Sequence, residues 1–296
     1  MQAQAESTKP GLELRVRPAT ADDGAACGAV FYDAFESIAV RHNFPVEPGS
    51  PDFTRMKAAD MLSRPGYAGL VAESDAGIVG CAFVDERGPM VGVGPVVVDP
   101  GAQDDGVGRA LMQAVLERER ERQAPGVRLV QTAYHYRSFA LYAKLGFVVR
   151  EPLSVLQGEP PRSDATGFDV RPAREDDLTA CGELCTHVHG HERTAELRDA
   201  IHAETARIVQ RDDRIRGYAT GFGYGWHAAA ETDDDLMALL ASADTLMGLG
   251  VIVPSRNTRL LNWCLDQGLQ IVQQSTLMTI GLYNEPAGAW LPSISF

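Results

Sequence analysis

What the chain lacks narrows its class. Across 296 residues no run approaches the eighteen consecutive apolar residues of a membrane-spanning helix. The stretch from Met1 to Gly11 is polar and has no apolar signal core. Basic residues are outnumbered, 27 against 40 acidic ones, for a net charge of −13. That balance does not suit a nucleic-acid backbone or an anionic membrane, both of which need clustered Lys and Arg. Cys27, Cys81, Cys181, Cys185 and Cys264 make an odd count without framework spacing, so reduced thiols are expected rather than a disulfide scaffold. The common nucleotide loops G-x-G-x-x-G and G-x-x-x-x-G-K-[ST] are missing as well. These absences set the expectation of a soluble, cytoplasmic protein with neither nucleic acid nor membrane as partner.

What is present is a long repeat. Val16-Arg-Pro-Ala-Thr-Ala-Asp-Asp-Gly-Ala-Ala-Cys-Gly28 recurs as Val170-Arg-Pro-Ala-Arg-Glu-Asp-Asp-Leu-Thr-Ala-Cys-Gly182, identical at nine of thirteen positions with an offset of 154. Each copy reads as an edge strand ending at Pro18 or Pro172, followed by a helix. Asp22-Asp23 and Asp176-Asp177 place carboxylates where the helix dipole favours them. Further on, Ser138 to Phe147 corresponds to Leu260 to Leu269, with Gly268 answering Gly146 at an offset of 122. A chain of this length and 45% hydrophobic content can bury one large core or two ordinary ones. Domain duplication is the expected origin, because the period is far too long for a solenoid.

The first copy holds a strand, a tight glycine loop and a helix: Val96, Val97 and Val98, then Asp99 to Gly106, then Val107-Gly108-Arg109-Ala110-Leu111. Gly106 and Gly108 let backbone approach a ligand closely, and the helix start offers unpaired N–H groups to an anion. A pyrophosphate suits that geometry. Downstream, Tyr136-Arg-Ser-Phe-Ala-Leu-Tyr-Ala-Lys-Leu-Gly-Phe147 reads as a helix closed by a left-handed cap at Gly146.

Together these segments resemble the two cofactor motifs of the GNAT acetyltransferase superfamily. Gln103, Gly106 and Gly108 fill [Arg/Gln]-x-x-Gly-x-[Gly/Ala]. Ser138, Tyr142, Gly146 and Phe147 fill Asn-x-x-[Ala/Ser]-x-x-x-Tyr-x-x-x-Gly-Phe, with His135 in the Asn place. Residues 13–150 thus resemble a complete domain of that family. The resemblance implies an α/β chain of two tandem GNAT folds, each a mixed, mostly antiparallel sheet flanked by helices. The divisions it implies are an acetyl-CoA-binding domain at 13–156, a linker at 157–167 and a degenerate GNAT-like domain at 168–296.

The implied reaction is direct transfer of an acetyl group from acetyl-CoA, as co-substrate, to an unidentified small-molecule amine. Val96, Val97 and Val98 would pair with the pantetheine arm. Gln103, Asp104, Asp105, Gly106, Val107, Gly108 and Arg109 would hold the pyrophosphate, with Ser138 as a further cofactor contact. Tyr142 would protonate the departing thiolate. The general base is open: Glu36, His42, Asp85 and Glu86 are candidates by type, with His42 placed in a loop after the first helix. A tandem enzyme similar to mycothiol synthase and a non-catalytic acyl-CoA sensor are the alternatives, and pairing into a homodimer is open.

The second copy carries no such loop. Its strand passes into a helix through Glu231-Thr232-Asp233-Asp234-Asp235, whose four carboxylates would repel a diphosphate. Cys264 stands where Tyr142 stands in the first copy. His187, His189 and His191 alternate, which would put them on one face only of an extended segment, whereas Cys181 and Cys185 share a face only on a helix. No metal is expected on that reading; these histidines and His227 are expected to face the cleft between domains. The apolar tail, Gly281 to Phe296, is expected to be packed.

Overall fold

The computed structural model describes residues 13–46, 49–162 and 167–295. The sequence expectations for Met1 to Gly11, for part of the linker at 157–167 and for Phe296 lie outside the described residues. The first repeat runs β1 (Arg15–Pro18), α1 (Gly24–His42), α2 (Pro51–Ser63), β2 (Tyr67–Ser74), β3 (Gly77–Asp85), β4 (Val91–Val98), α3 (Val107–Glu121), β5 (Gly126–Thr132), α4 (Tyr136–Lys144) and β6 (Val148–Gln157). The second follows the same order: β7 (Asp169–Pro172), α5 (Leu178–His189), α6 (Thr194–His202), β8 (Arg207–Arg211), β9 (Arg214–Ala219), β10 (Ala228–Ala230), α7 (Asp233–Ala241), β11 (Val251–Pro254), α8 (Thr258–Asp266) and β12 (Gln270–Gly281), with β13 (Ala289–Leu291) added. Both offsets survive as structure. Helices α1 and α5 begin 154 residues apart, and α4 and α8 begin and end 122 apart. Gly146 and Gly268 take φ of 96° and 92°, the left-handed conformation that a helix-ending cap needs.

The opening of each repeat is fixed by one ion pair. Arg17 donates to both oxygens of Asp23 at 2.7 and 2.9 Å, and Arg171 does the same to Asp177 at 2.8 Å each. Each aspartate also accepts a backbone N–H three residues upstream, from Thr20 or Arg174. The bound guanidinium holds each carboxyl below the usual carboxylate range. The acidic pair at the helix start therefore ties strand to helix as well as serving the dipole.

The chain forms two compact units, and they are not its sequence halves. One contains residues up to 84 with 95–118; the other contains 85–94 and 119 onward. In the first unit β1 pairs antiparallel with β2, the strand order continues to β3 and β4, and Cys27, Val30, Phe31, Met61, Val71 and Phe83 form the core. In the second unit the order is β5-β12-β6-β11, and β13-β10-β9-β8-β7 form a separate sheet.

That order carries a strand exchange. The last strand of each repeat pairs with the penultimate strand of the other: β12 with β5, and β6 with β11. Thr132 faces Ser275 and Pro254 faces Leu153, which are repeat-equivalent pairs. Between them β6 and β12 pair with each other, Gln157 facing Gln270 and Val148 facing Thr279, again equivalent. Leu153, Val155 and Leu156 of β6 are fully buried, so the strand that the sequence assigns to the end of the first domain is a core strand of the second unit. The tail is packed as expected: β13 pairs with β10, and Trp290 is buried.

The repeats differ in how tightly their helices meet. A Cβ on Gly28 of α1 would lie 2.4 Å from the Arg55 Cα and 2.7 Å from its N, both backbone atoms of α2. At the equivalent Gly182 the only neighbour is the Thr194 Cγ2 at 2.7 Å, a side chain that can turn away. Gly28→Ala is expected to lower stability by about 1–3 kcal/mol, because backbone cannot yield. Gly182→Ala is expected to be near neutral, since alanine gains about 1 kcal/mol of helix propensity over glycine. Urea denaturation of both variants reads the difference.

Candidate active site

In the first unit, β4 delivers the chain to the glycine loop. Val97 is buried in the core while Val96 and Val98 are half-exposed on the opposite face, as strand alternation requires. The parallel ladder between β4 and β5 is confined to Val91–Val127 and Gly92–Arg128. Two residues past its end, Gly94 has φ 156°, a conformation disfavoured for side chains. The Asp99 N–H still donates to the Val79 carbonyl of β3 at 2.9 Å, so the strand stays paired on that side up to the loop.

The loop then folds on itself. The Asp99 Oδ1 accepts from the Gly101 N–H at 2.7 Å, and Gln103 Nε2 donates back to the Val98 carbonyl at 3.4 Å. Asp104 and Gly106 have φ of 75° and 86°. The first backbone bond at the start of α3 is Ala110 N–H to Gly106 carbonyl, 3.0 Å. The N–H groups of Val107, Gly108 and Arg109 therefore precede the first helical bond, which makes them anion donors by helix geometry. Val107 and Leu111 seat the helix on β3 at Gly80, where a Cβ would come within 2.8 Å of Val107 Cγ1. Asp104 and Asp105 are exposed.

In the second unit, α4 carries Tyr142, which is buried with its ring 5.8 Å from that of Phe147. Burial pushes its hydroxyl up to a pKa of about 12, so the group stays protonated at neutral pH. Ser138 is held within the turn into α4. Its Oγ donates to the His135 carbonyl at 2.9 Å and accepts from Gln131 Nε2 at 3.1 Å. Gln131, buried at the end of β5, also donates to the Thr132 and His135 carbonyls and so sets the turn into α4. Sequence reasoning missed Gln131; a buried amide just before a helix start was its only trace.

The four candidate bases fall in different units. Glu36 and His42 belong to the first; Asp85 and Glu86 belong to the second. Asp85 is gripped by Arg87 at 2.6 and 2.9 Å, and Glu86 pairs with Arg122 at 3.2 Å. Both carboxylates are thus already engaged by arginines, which suits anchoring more than proton transfer. His42 is not in a loop: α1 runs through it, and Asn43, at φ 56°, ends the helix. The amphipathic pattern fades before His42, but the left-handed Asn43 lets the last turn complete. Glu36 accepts from the Tyr32 hydroxyl at 3.0 Å and lines a shallow, open depression of about 610 Å³ with Asp33, Ser37, Val40, Arg41 and Pro100. Pro100 opens the glycine loop, so a predicted acceptor residue and the loop border one depression.

The second copy presents α7 where the first presents α3. Thr232 caps it, and Asp233, Asp234 and Asp235 fill its first turn. Asn257 binds Asp233 at 2.7 Å, and Arg259 binds Asp234 at 2.5 Å. This helix start is occupied by the chain's own carboxylates. The histidines also depart from expectation. His187 and His189 lie on a helix, and His189, His191 and His227 are buried at 2%, 8% and 1% exposure within the second unit. An i, i+2 pair cannot share a helix face, so the alternation is broken and the partner of His189 is not His187.

Residues 65–149 match the family model of the acetyltransferase (GNAT) domain. The fold is similar along nearly its whole length to a candidate acetyltransferase from Pyrococcus horikoshii, at 18% identity and a TM-score of 0.68 with 98% of each chain covered. It is similar also to a GCN5-related N-acetyltransferase from Sphaerobacter thermophilus, at 14% identity and 0.59, covering 95% of this chain and 98% of that one. A tandem GNAT protein from the clavulanic acid biosynthesis pathway aligns at 13% identity and 0.54, over 91% of this chain and 98% of its own. No curated protein sequence matches the chain. Among the described residues no helix is long and apolar enough to cross a membrane.

Proposed function

We propose, from the match of residues 65–149 to the GNAT acetyltransferase domain, that the chain transfers an acetyl group from acetyl-CoA to the nitrogen of a small amine. The observation that carries this reading is the loop itself. Gly106, at φ 86°, has no atom within 4 Å of where a Cβ would stand, so the backbone there is open to a ligand immediately before the free N–H groups of α3. Such a start holds a diphosphate without any lysine. The backbone of Val96 to Val98, beyond the end of the β5 ladder, is suited to pair with an extended amide-bearing arm. Acetyl-CoA supplies an activated acyl carbon and a thiolate that leaves with its electron pair.

The chain's own groups then have three tasks. The loop amides fix the diphosphate, and so the distance from it to the thioester. Glu36 and Asp33 favour an acceptor that arrives as an ammonium, in keeping with the net charge of −13. An ammonium must lose a proton before its lone pair can attack, and water in the open depression is a sufficient acceptor. The buried Tyr142 hydroxyl, protonated at neutral pH, gives its proton to the departing sulfur. The second copy binds no acyl-CoA in this reading, because α7 opens with three aspartates.

A second reading is a non-catalytic acyl-CoA sensor, favoured by the ion pairing of Asp85 and Glu86. Thiol release from acetyl-CoA across an amine panel, run beside calorimetry, separates the two. Release with one amine supports transfer. Saturable binding without release to any amine supports the sensor, and absence of binding overturns both.

A further inference from the structure

We propose that Cys185, His189 and His227 hold one transition-metal ion of the zinc class in the core of the second unit. Cys185 and His189 are four residues apart on α5, so both side chains leave the same face of that helix. His227 enters from the residue before β10, and its backbone is fixed on both sides. Its carbonyl accepts from the Thr220 N–H at 2.8 Å, and its N–H donates to Thr220 Oγ1 at 2.9 Å. The thiol sulfur and one nitrogen from each imidazole all lie within 4.8 Å of one another.

The nitrogen spacing is the informative distance. His189 Nε2 and His227 Nε2 are 3.3 Å apart. Two imidazole nitrogens at roughly 2.0–2.1 Å from a tetrahedral zinc ion are about 3.3 Å from each other. The remaining nitrogen of His227, Nδ1, lies 3.5 Å from the Tyr218 hydroxyl, where an outer partner would orient a metal-bound ring. Thiolate with two imidazoles is a donor set that zinc accepts with one further, non-protein ligand.

The first repeat shows what this position otherwise contains. Counting back 154 residues from Cys185 and His189 gives Phe31 and Phe35, whose rings pack edge-to-face at 5.1 Å in the core of the first unit. One copy fills its helix–sheet interface with hydrocarbon. The other puts a thiol and two imidazoles there, at 0%, 2% and 1% exposure. The two rings share a hydrogen bond across the same 3.3 Å, and an ion bound there replaces its proton and takes up the thiol as well. Held among buried side chains, the ion's role is to tie α5 to the strand that follows His227. This site is independent of acetyl transfer.

The test uses the full chain, stripped with a chelator and titrated with Zn²⁺ alone against a chromophoric competitor, then with Co²⁺ as a spectroscopic probe. One equivalent of Zn²⁺ is expected, and Co²⁺ is expected to give a thiolate-to-metal charge-transfer band. Cys185→Ser should abolish the band, and His227→Gln should weaken Zn²⁺ binding by at least about a hundredfold, beyond the loss typical of outer partners. Cys181→Ser, one helical turn earlier and equally buried, should leave both intact. Failure of the folded wild-type chain to bind stoichiometric Zn²⁺ overturns the proposal, as does a cobalt band that persists in Cys185→Ser. If Cys185→Ser does not fold, the wild-type titration and His227→Gln decide the matter.

Discussion

Tyr142→Phe is expected to lower turnover by about a hundred- to ten-thousandfold while leaving the Kd for acetyl-CoA close to its original value. The substitution deletes one oxygen and keeps the ring against Phe147, 5.8 Å away, so the packing of α4 on its sheet survives. In the proposed reaction, what disappears is the proton that neutralises the departing sulfur. Because that interaction exists only as the carbon–sulfur bond breaks, its loss falls on kcat and not on ground-state binding. The pH profile adds a sign. Burial raises the hydroxyl pKa to about 12, so the acid remains protonated well past neutrality. An alkaline limb in kcat below about pH 11 then belongs to another group and should persist in the variant. Thiol release measured at saturating amine, beside calorimetric Kd values, separates the two quantities. A variant that turns over within a factor of about three of wild type removes Tyr142 from the reaction.

The parts of this molecule that were legible in its sequence are those written in local pattern. The offsets of 154 and 122 give helix starts that the structure reproduces residue for residue, because caps and turn glycines such as Gly146 and Gly268 are decided within a few neighbours. The glycine loop was legible for the same reason: a positive φ at Gly106 and a helix start at Val107 are local events. Pairing at long range was not. Nothing in Val148 to Gln157 says that its partners will be β11 and β12, since β6 and β12 differ little in pattern and either could have paired at home. The strand exchange follows from which edges meet in three dimensions.

The same distinction explains the site residues. Asp85 and Glu86 have the right chemistry for a base, yet each is paired by an arginine, Arg87 close by in the turn and Arg122 directly after the end of α3. The expected loop at His42 gives way to helix, because Asn43 in the left-handed conformation caps α1 only after His42. For His189, alternation drew attention to His187 and His191. The informative spacing was Cys185-x-x-x-His189, which becomes meaningful only once α5 is known to be helical and His227 is known to face it.

Gly106→Ala is expected to weaken acetyl-CoA binding by about ten- to a hundredfold, the equivalent of one charge-assisted hydrogen bond to the diphosphate. The methyl group meets nothing in the protein, since no atom lies within 4 Å of its position. Two effects remain: the conformational penalty of a side chain at φ 86°, about 1–2 kcal/mol, and displacement of the amides that follow. Gly77 in the β2–β3 turn separates them. It has φ 100°, equally open surroundings and a place in the same compact unit, so Gly77→Ala carries the same penalty without touching the loop. Both variants should lose similar thermal stability, and only Gly106→Ala should lose affinity by calorimetry. Equal affinities in the two would mean that the backbone at Gly106 touches no diphosphate. A loss shared by both would trace to general destabilisation of the unit. Only the asymmetric outcome leaves the start of α3 as the place where the nucleotide is held.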